Sequence, residues 1–293
     1  MMRLLLLGKF GQLGWELHRA LSPLGEVIAL DYPEIDLSQP DQIRPLVRQA
    51  QPAVIVNATA YTAVDRAESE PELTRAINAL APGILAEEAR TLGAALVHFS
   101  TDYVFDGATN SPYIETDQPN PLGMYGQSKL EGERAIEATG GAYLILRTSW
   151  VYSLRRDSFV TKVLKWSRQQ ETLLVVSDQV SNPTWARLLA EITAQLLAKA
   201  RDDSTGWLGE RCGLYHLAGN GYGSRYDWAH AILRYDPKPE EQVTRQLLPA
   251  LTADFPTPAR RPLFSALNCN LFSETFGLRL PDWKDALHMA MES

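Results

Sequence analysis

Residues 3–14 read RLLLLGKFGQLG: four leucines running into Gly8, then glycines again at 11 and 14. A secretory leader needs an apolar stretch of roughly 7–15 residues. This one stops after four, at Gly8 and Lys9, and no small-residue cleavage site follows. The run is predicted to be a buried strand, and the glycines a turn that opens a helix over 12–21. A dinucleotide pyrophosphate needs a turn free of side chains, so that backbone N–H groups and a helix N-terminus can approach it. Gly8, Gly11 and Gly14 provide such a turn in G-x-x-G-x-x-G spacing. Three glycines after any strand are a weak signal alone; their place after the first strand favours a cofactor site.

Outward from this stretch the same rhythm repeats. Short apolar runs at 26–31, 53–59, 94–100 and 142–148 alternate with helical patterns, notably 72–92. Continuous rather than alternating hydrophobicity marks strands covered on both faces. The expected fold is therefore α/β, a doubly wound parallel sheet of Rossmann type, with a smaller C-terminal substrate-binding lobe. Residues 1–152 are expected to form the dinucleotide-binding domain, with returning elements near 172–200. Residues 153–293 are expected to be mainly lobe. A strand at 172–177 and a helix at 184–200 look like sheet-and-cover elements, and the polar stretch 201–213 like an exposed loop.

Composition narrows the function classes. A net charge of −7 and a pI near 5.3 give no basic footprint for nucleic acid or an anionic membrane. No run approaches the roughly 18 apolar residues of a membrane span. Two cysteines, Cys212 and Cys269, do not make a disulfide framework. The expectation is a cytoplasmic protein, monomeric or a weak homodimer, acting on a small molecule.

Three further features carry chemistry. Asp31 follows Gly11 by 20 residues at the end of the second strand, where a carboxylate accepts from ribose hydroxyls and repels a 2′-phosphate. That favours NADH and leaves NADPH open. Tyr125 and Lys129 lie four apart on a predicted helix and so share a face. A cation beside a phenol favours phenolate, and Lys129 together with the positive charge of an oxidised nicotinamide would bring tyrosine down from about 10 toward working pH. Ser100 and Thr101 end the fourth strand, 24 residues before Tyr125 in the case of Thr101. A hydroxyl there can share the substrate oxygen with the phenol. A Tyr-x-x-x-Lys pair alone is common on solvated helix faces; joined to a strand-end hydroxyl and a glycine turn it points to carbonyl reduction.

GKFGQLGWEL (8–17), VIVNATAYTAVDRAESEP (54–71), VHFSTDYVFDG (97–107), PLGMYGQSKLEGE (121–133), LRTSWVY (146–152) and PTPARRP (256–262) together resemble the dTDP-4-dehydrorhamnose reductase family. That family sits in the extended branch of the short-chain dehydrogenase/reductases, and the likeness runs from residue 3 almost to the end. The resemblance implies NAD(P)H-dependent reduction of dTDP-4-dehydro-L-rhamnose to dTDP-L-rhamnose, the last step of dTDP-rhamnose biosynthesis. It implies Thr101, Tyr125 and Lys129 as catalytic hydroxyl, acid and helper lysine. Gly11, Gln12, Leu13, Asp31, Asp36, Leu37, Ala60, Tyr61 and Thr62 would line the cofactor, and Asp102 and Trp150 would contact the sugar nucleotide. Arg261, in a Pro-rich turn, suits a substrate diphosphate, since a guanidinium meets phosphate oxygens bidentately; such an arginine is as often solvated.

The pattern also departs from relatives. Dehydratases of the same branch place a Glu after the Thr-Asp pair, and here that slot is Tyr103, which argues against elimination. Some relatives dimerise through a metal held by three glutamates. Glu16 and Glu292 match two of those positions, but the third is Arg187, so no metal site is expected. A non-catalytic dinucleotide-binding regulatory subunit and a sugar-nucleotide epimerase are the alternative readings.

Overall fold

The computed structural model describes residues 2–292. Six strands form one parallel sheet: β1 (Met2–Leu7), β2 (Gly25–Leu30), β3 (Val54–Asn57), β4 (Ala95–Thr101), β5 (Tyr143–Thr148) and a late strand, Gly213–His216. Their spatial order is β2-β1-β3-β4-β5 followed by the late strand. The leucines of β1 show why the run folds this way. Leu4 and Leu6 pack with α1 (Gln12–Leu21), while Leu5 and Leu7 pack with α2 (Pro40–Ala50) on the opposite face. All four are fully buried. At roughly 1.5–3 kcal/mol for each buried leucine, this strand anchors both layers.

The stretch 72–92 is interrupted. Short helices α3 (Val64–Ala67) and α4 (Pro71–Arg75) lead into a π-helical turn at Ala76–Leu80, and only then does α5 (Ala81–Leu92) begin. The widened turn aims Asn78 inward, where its amide bonds the Tyr61 backbone N–H at 2.8 Å and the Ser128 hydroxyl at 3.1 Å. Ser128 lies in α6 (Met124–Thr139) and donates to the Tyr125 carbonyl. A local irregularity thus ties the loop after β3 to the helix that carries Tyr125.

The second half builds the lobe and completes the sheet. In chain order come β6 (Val151–Tyr152), α7 (Phe159–Ser167), β7 (Thr172–Val176), β8 (Val180–Ser181), β9 (Thr184–Trp185) and α8 (Ala186–Lys199). After them follow α9 (Ser204–Gly209), β10, which is the late sheet strand, β11 (Gly223–Ser224), α10 (Arg225–Arg234), β12 (Gln246–Ala250), α11 (Asn270–Phe276) and α12 (Trp283–Met291). Helix α8 lies on α1 and covers the sheet. Strand β7 does not join the sheet: it pairs in parallel with β12 as a separate ribbon. The stretch 201–213, expected to be an exposed loop, contains α9, whose Leu208 is fully buried under the sheet. A distinct lobe core gathers Tyr152, Val163, Leu173, Trp228, Trp283 and Leu287.

Candidate active site

Strand order reverses between β2 and β3 on either side of β1, and a crevice opens at the carboxyl ends there. A cleft of about 630 Å³ fills it, lined by the turn after β1, the loop after β3 and α6. Gly8 has φ +93°, and a side chain at Gly14 would place its Cβ 1.8 Å from the Gly8 carbonyl oxygen. The turn therefore closes on the helix only with glycine at both positions. Helix α1 has no side-chain cap at Gly11, so its first N–H groups are free for an anion. The buried Gln12 Oε1 has no partner. Beside the turn, Asp31 accepts from the Phe10 and Tyr32 backbone N–H groups, each at 2.8 Å. A glycine turn, a bare helix start, an orphaned buried acceptor and a carboxylate beside the turn fit a dinucleotide.

Of the cofactor residues taken from the sequence, Gly8, Gly11, Gln12, Leu13, Asp31, Ala60 and Thr62 line the cleft, together with Tyr125 and Lys129. Gly14 serves the close approach instead. Asp36 receives the Ser38 N–H and hydroxyl, Leu37 is core, and Tyr61 presents its N–H to Asn78 and its hydroxyl to Glu70. Lys9 is held by Glu34 at 2.5 Å, Arg3 by Glu26 and Arg19 by Glu16. Arg156 and Asp157, from the loop after β6, also line the cleft and escaped sequence reading. Nothing in SLRRDS distinguishes them from an ordinary polar loop.

Tyr125 faces the cleft with Tyr103 edge-on, ring centroids 5.7 Å apart. The Thr101 hydroxyl is near enough to the phenol to favour its ionised form. Burial pushes the phenol well above its usual range, opposed by that hydroxyl and reinforced by Asp102 and Tyr103. Lys129 does not supply its share of the expected phenolate stabilisation, because of where its amine goes. Its amine turns into the sheet, donating to the Phe99 carbonyl at 2.6 Å and meeting His98 Nε2 at 3.0 Å. Helical spacing brings two Cα atoms onto one face, but a lysine's four-carbon stem carries its charge elsewhere.

Asp102 is buried, and its carboxylate accepts from Ser181 at 3.0 Å, Ser265 at 2.5 Å and Thr101 at 3.2 Å. Burial raises it to about 6, against the pull of those three hydroxyls. In this arrangement it holds Thr101 and two lobe segments. Trp150, at φ +40°, stacks on Trp228 and lies 3.9 Å from the Arg225 guanidinium. Arg261 pairs with Asp65 at 2.8 Å. Arg261 and Arg225 share a second cavity of about 310 Å³ with Phe159, Trp166, Leu174 and Phe255. Arg225 was not singled out from the sequence, since a lone arginine opening a helix carries no signal.

Arg187 forms an ion pair with Glu191, which in turn meets Arg19 of α1. Among the described residues no group of three His, Cys, Asp or Glu could hold a metal, and no helix is long and apolar enough to cross a membrane.

The family model described as the RmlD substrate binding domain matches residues 2–293. A dTDP-4-dehydrorhamnose reductase from Burkholderia thailandensis is 42% identical over 294 residues, covering 99% of this chain and 98% of that protein. The crystal structure of a dTDP-4-dehydrorhamnose reductase from Clostridium acetobutylicum superposes with a TM-score of 0.89 at 34% identity, over 99% of each chain. One from Bacillus anthracis in complex with NADP gives the same TM-score at 30% identity, over 100% of this chain and 99% of that one.

Proposed function

Because this chain belongs to the RmlD substrate-binding-domain family, and the relatives described above are dTDP-4-dehydrorhamnose reductases, we propose that it reduces dTDP-4-dehydro-L-rhamnose to dTDP-L-rhamnose with NADH or NADPH. The observation that carries the chemistry is the Tyr125 phenol, facing the glycine-lined cleft with the Thr101 hydroxyl near it.

The bound dinucleotide supplies the hydride; everything else falls to side chains of this protein. Gly8, Gly11, Gln12 and Leu13 would hold the diphosphate and Asp31 the adenosine ribose. Burial keeps the Tyr125 proton in place before reaction, so the phenol enters as an acid. It delivers that proton to the oxygen on which negative charge develops, and Thr101 steadies the same oxygen by hydrogen bonding. In the free protein that Thr101 hydrogen points to Asp102, so the hydroxyl turns from the carboxylate to the substrate oxygen as charge develops there. Tyr103 occupies the slot where a dehydratase needs a carboxylate, which leaves elimination without its acid–base partner. The second cavity has the makeup for a nucleoside diphosphate, with apolar walls for a flat base and Arg225 and Arg261 for phosphates.

The test is reduced-nicotinamide consumption with the 4-keto sugar nucleotide, compared between wild type and Tyr125→Phe. Turnover should fall by about 10²-fold or more, while cofactor binding, followed by fluorescence titration, is retained. Equal turnover in the variant removes the proton-donor role. Absence of turnover in both proteins favours a dinucleotide-binding subunit.

A further inference from the structure

Behind the cleft lies a chain of hydrogen bonds joining Asn57 of β3, His98 of β4 and Lys129 of α6. Their exposures are 0%, 0% and 1%. Two contacts fix the facing of the Asn57 amide. Its Oδ1 accepts the Thr59 backbone N–H at 3.1 Å and the Thr59 hydroxyl at 2.5 Å, and a backbone N–H can only donate. The Nδ2 end therefore meets His98 Nδ1, 3.1 Å away. An amide nitrogen donates as well, so His98 Nδ1 accepts and carries no hydrogen. A neutral imidazole then keeps its one hydrogen on Nε2, which lies 3.0 Å from the Lys129 amine. An ammonium there would set donor against donor. An uncharged amine accepts from Nε2–H through its lone pair and still donates to the Phe99 carbonyl.

From this geometry we infer that His98 is a positioning residue, holding Lys129 in the free protein as an uncharged amine turned into β4, with Asn57 fixing the imidazole hydrogen on Nε2. The titratable groups around Lys129 are His98 from β4 and, on α6 itself, Tyr125 and Glu133. Glu133 favours the charged amine, but its carboxylate is bound bidentately by Arg147 of β5 at 2.9 and 2.7 Å. Burial brings Lys129 down to about 8 and drives His98 well below the usual histidine value, so the uncharged amine that the proton count requires is the form present in mildly alkaline solution. When Lys129 takes up a proton, the ring must present a bare Nε2 and move its hydrogen to Nδ1. Asn57 must then turn Oδ1 toward the ring, and the Thr59 N–H loses its acceptor. Thr59 lines the cofactor cleft, so the charge on Lys129 and the cleft wall are linked. The consequence for catalysis rests on Lys129 being the helper lysine; the proton positions do not.

The full-length protein, labelled with 15N-histidine and free of ligands at mildly alkaline pH, gives the ring hydrogen positions by long-range proton–nitrogen correlation. The His98 signal is the one missing from His98→Gln. A hydrogen on Nε2 and a bare Nδ1 are expected; the reverse overturns the inference. Asn57→Asp offers the ring only acceptors while still receiving Thr59. It should move the hydrogen to Nδ1 and raise the titration midpoint of the Lys129 13Cε resonance by about one pH unit or more. An unmoved tautomer and midpoint likewise overturn it. Neither signal needs turnover, so a failed reductase assay and a failed inference are distinguishable.

Discussion

Asp102→Asn should stabilise the protein at neutral pH and leave it unchanged in acid. The carboxyl of Asp102 ordinarily titrates near 3.8 and is raised to about 6 by burial, even with Ser265, Ser181 and Thr101 donating to it. A folded-state value above the unfolded one means that the native state holds the extra proton between these limits. The stabilising contribution is then complete below about 3.8 and lost as pH rises through about 6. At 1.36 kcal/mol per pH unit, the separation amounts to about 3 kcal/mol at pH 7. Asparagine has nearly the same shape and no charge, and the three hydroxyls can reorient to suit its amide nitrogen. Wild type and variant should therefore melt together near pH 4. By pH 7 the variant should lead by about 6 °C, at ~2 °C per kcal/mol for a chain of this size. Differential scanning calorimetry of both proteins across that range measures the gap. A gap that stays constant with pH, or a variant that melts lower at pH 7, would show that the carboxylate is net stabilised where it sits and would refute the reasoning.

Other outcomes follow from named contacts. Arg147→Met leaves the buried Glu133 carboxylate without its bidentate partner and should cost about 3–5 kcal/mol in urea unfolding; a loss under about 1 kcal/mol would mean that Ser100 and solvent suffice. Asp31→Ala should raise the apparent KM for NADH more than that for NADPH, because a carboxylate there favours ribose hydroxyls over a 2′-phosphate; the opposite shift in steady-state kinetics removes the ribose assignment.

The sheet was legible wherever a strand is covered on both faces, because such strands lose alternation and show as bare apolar runs, as RLLLLG does. It was illegible at Gly213–His216, only four residues long and preceded by polar sequence. Strand β7 was recognised, but not its partner β12, which lies 74 residues further along in register; local pattern does not carry pairing across that separation. In the site, glycine spacing and the Thr101, Tyr125 and Lys129 set stood out because backbone approach and acid–base chemistry demand particular residue types. The contacts that set their protonation did not stand out. Lys129 and His98 are 31 residues apart on different elements, and the π-helical turn that aims Asn78 has no composition of its own. The resemblance implied Asp102 as a contact of the sugar nucleotide, and no local pattern announced the hydroxyls that cover its carboxylate. Ser265, 163 residues away, covers it.

That last distance bears on how the protein is made. While the ribosome is still synthesising the lobe, Thr101 and Asp102 stand at the tip of a strand whose neighbours in the sheet are nearly all available, yet the hydroxyl that roofs the carboxylate has not been translated. The candidate site is thus completed by one of the last segments to emerge, and a nascent chain arrested before Ser265 would carry the glycine turn without one of the hydroxyls that close over Asp102.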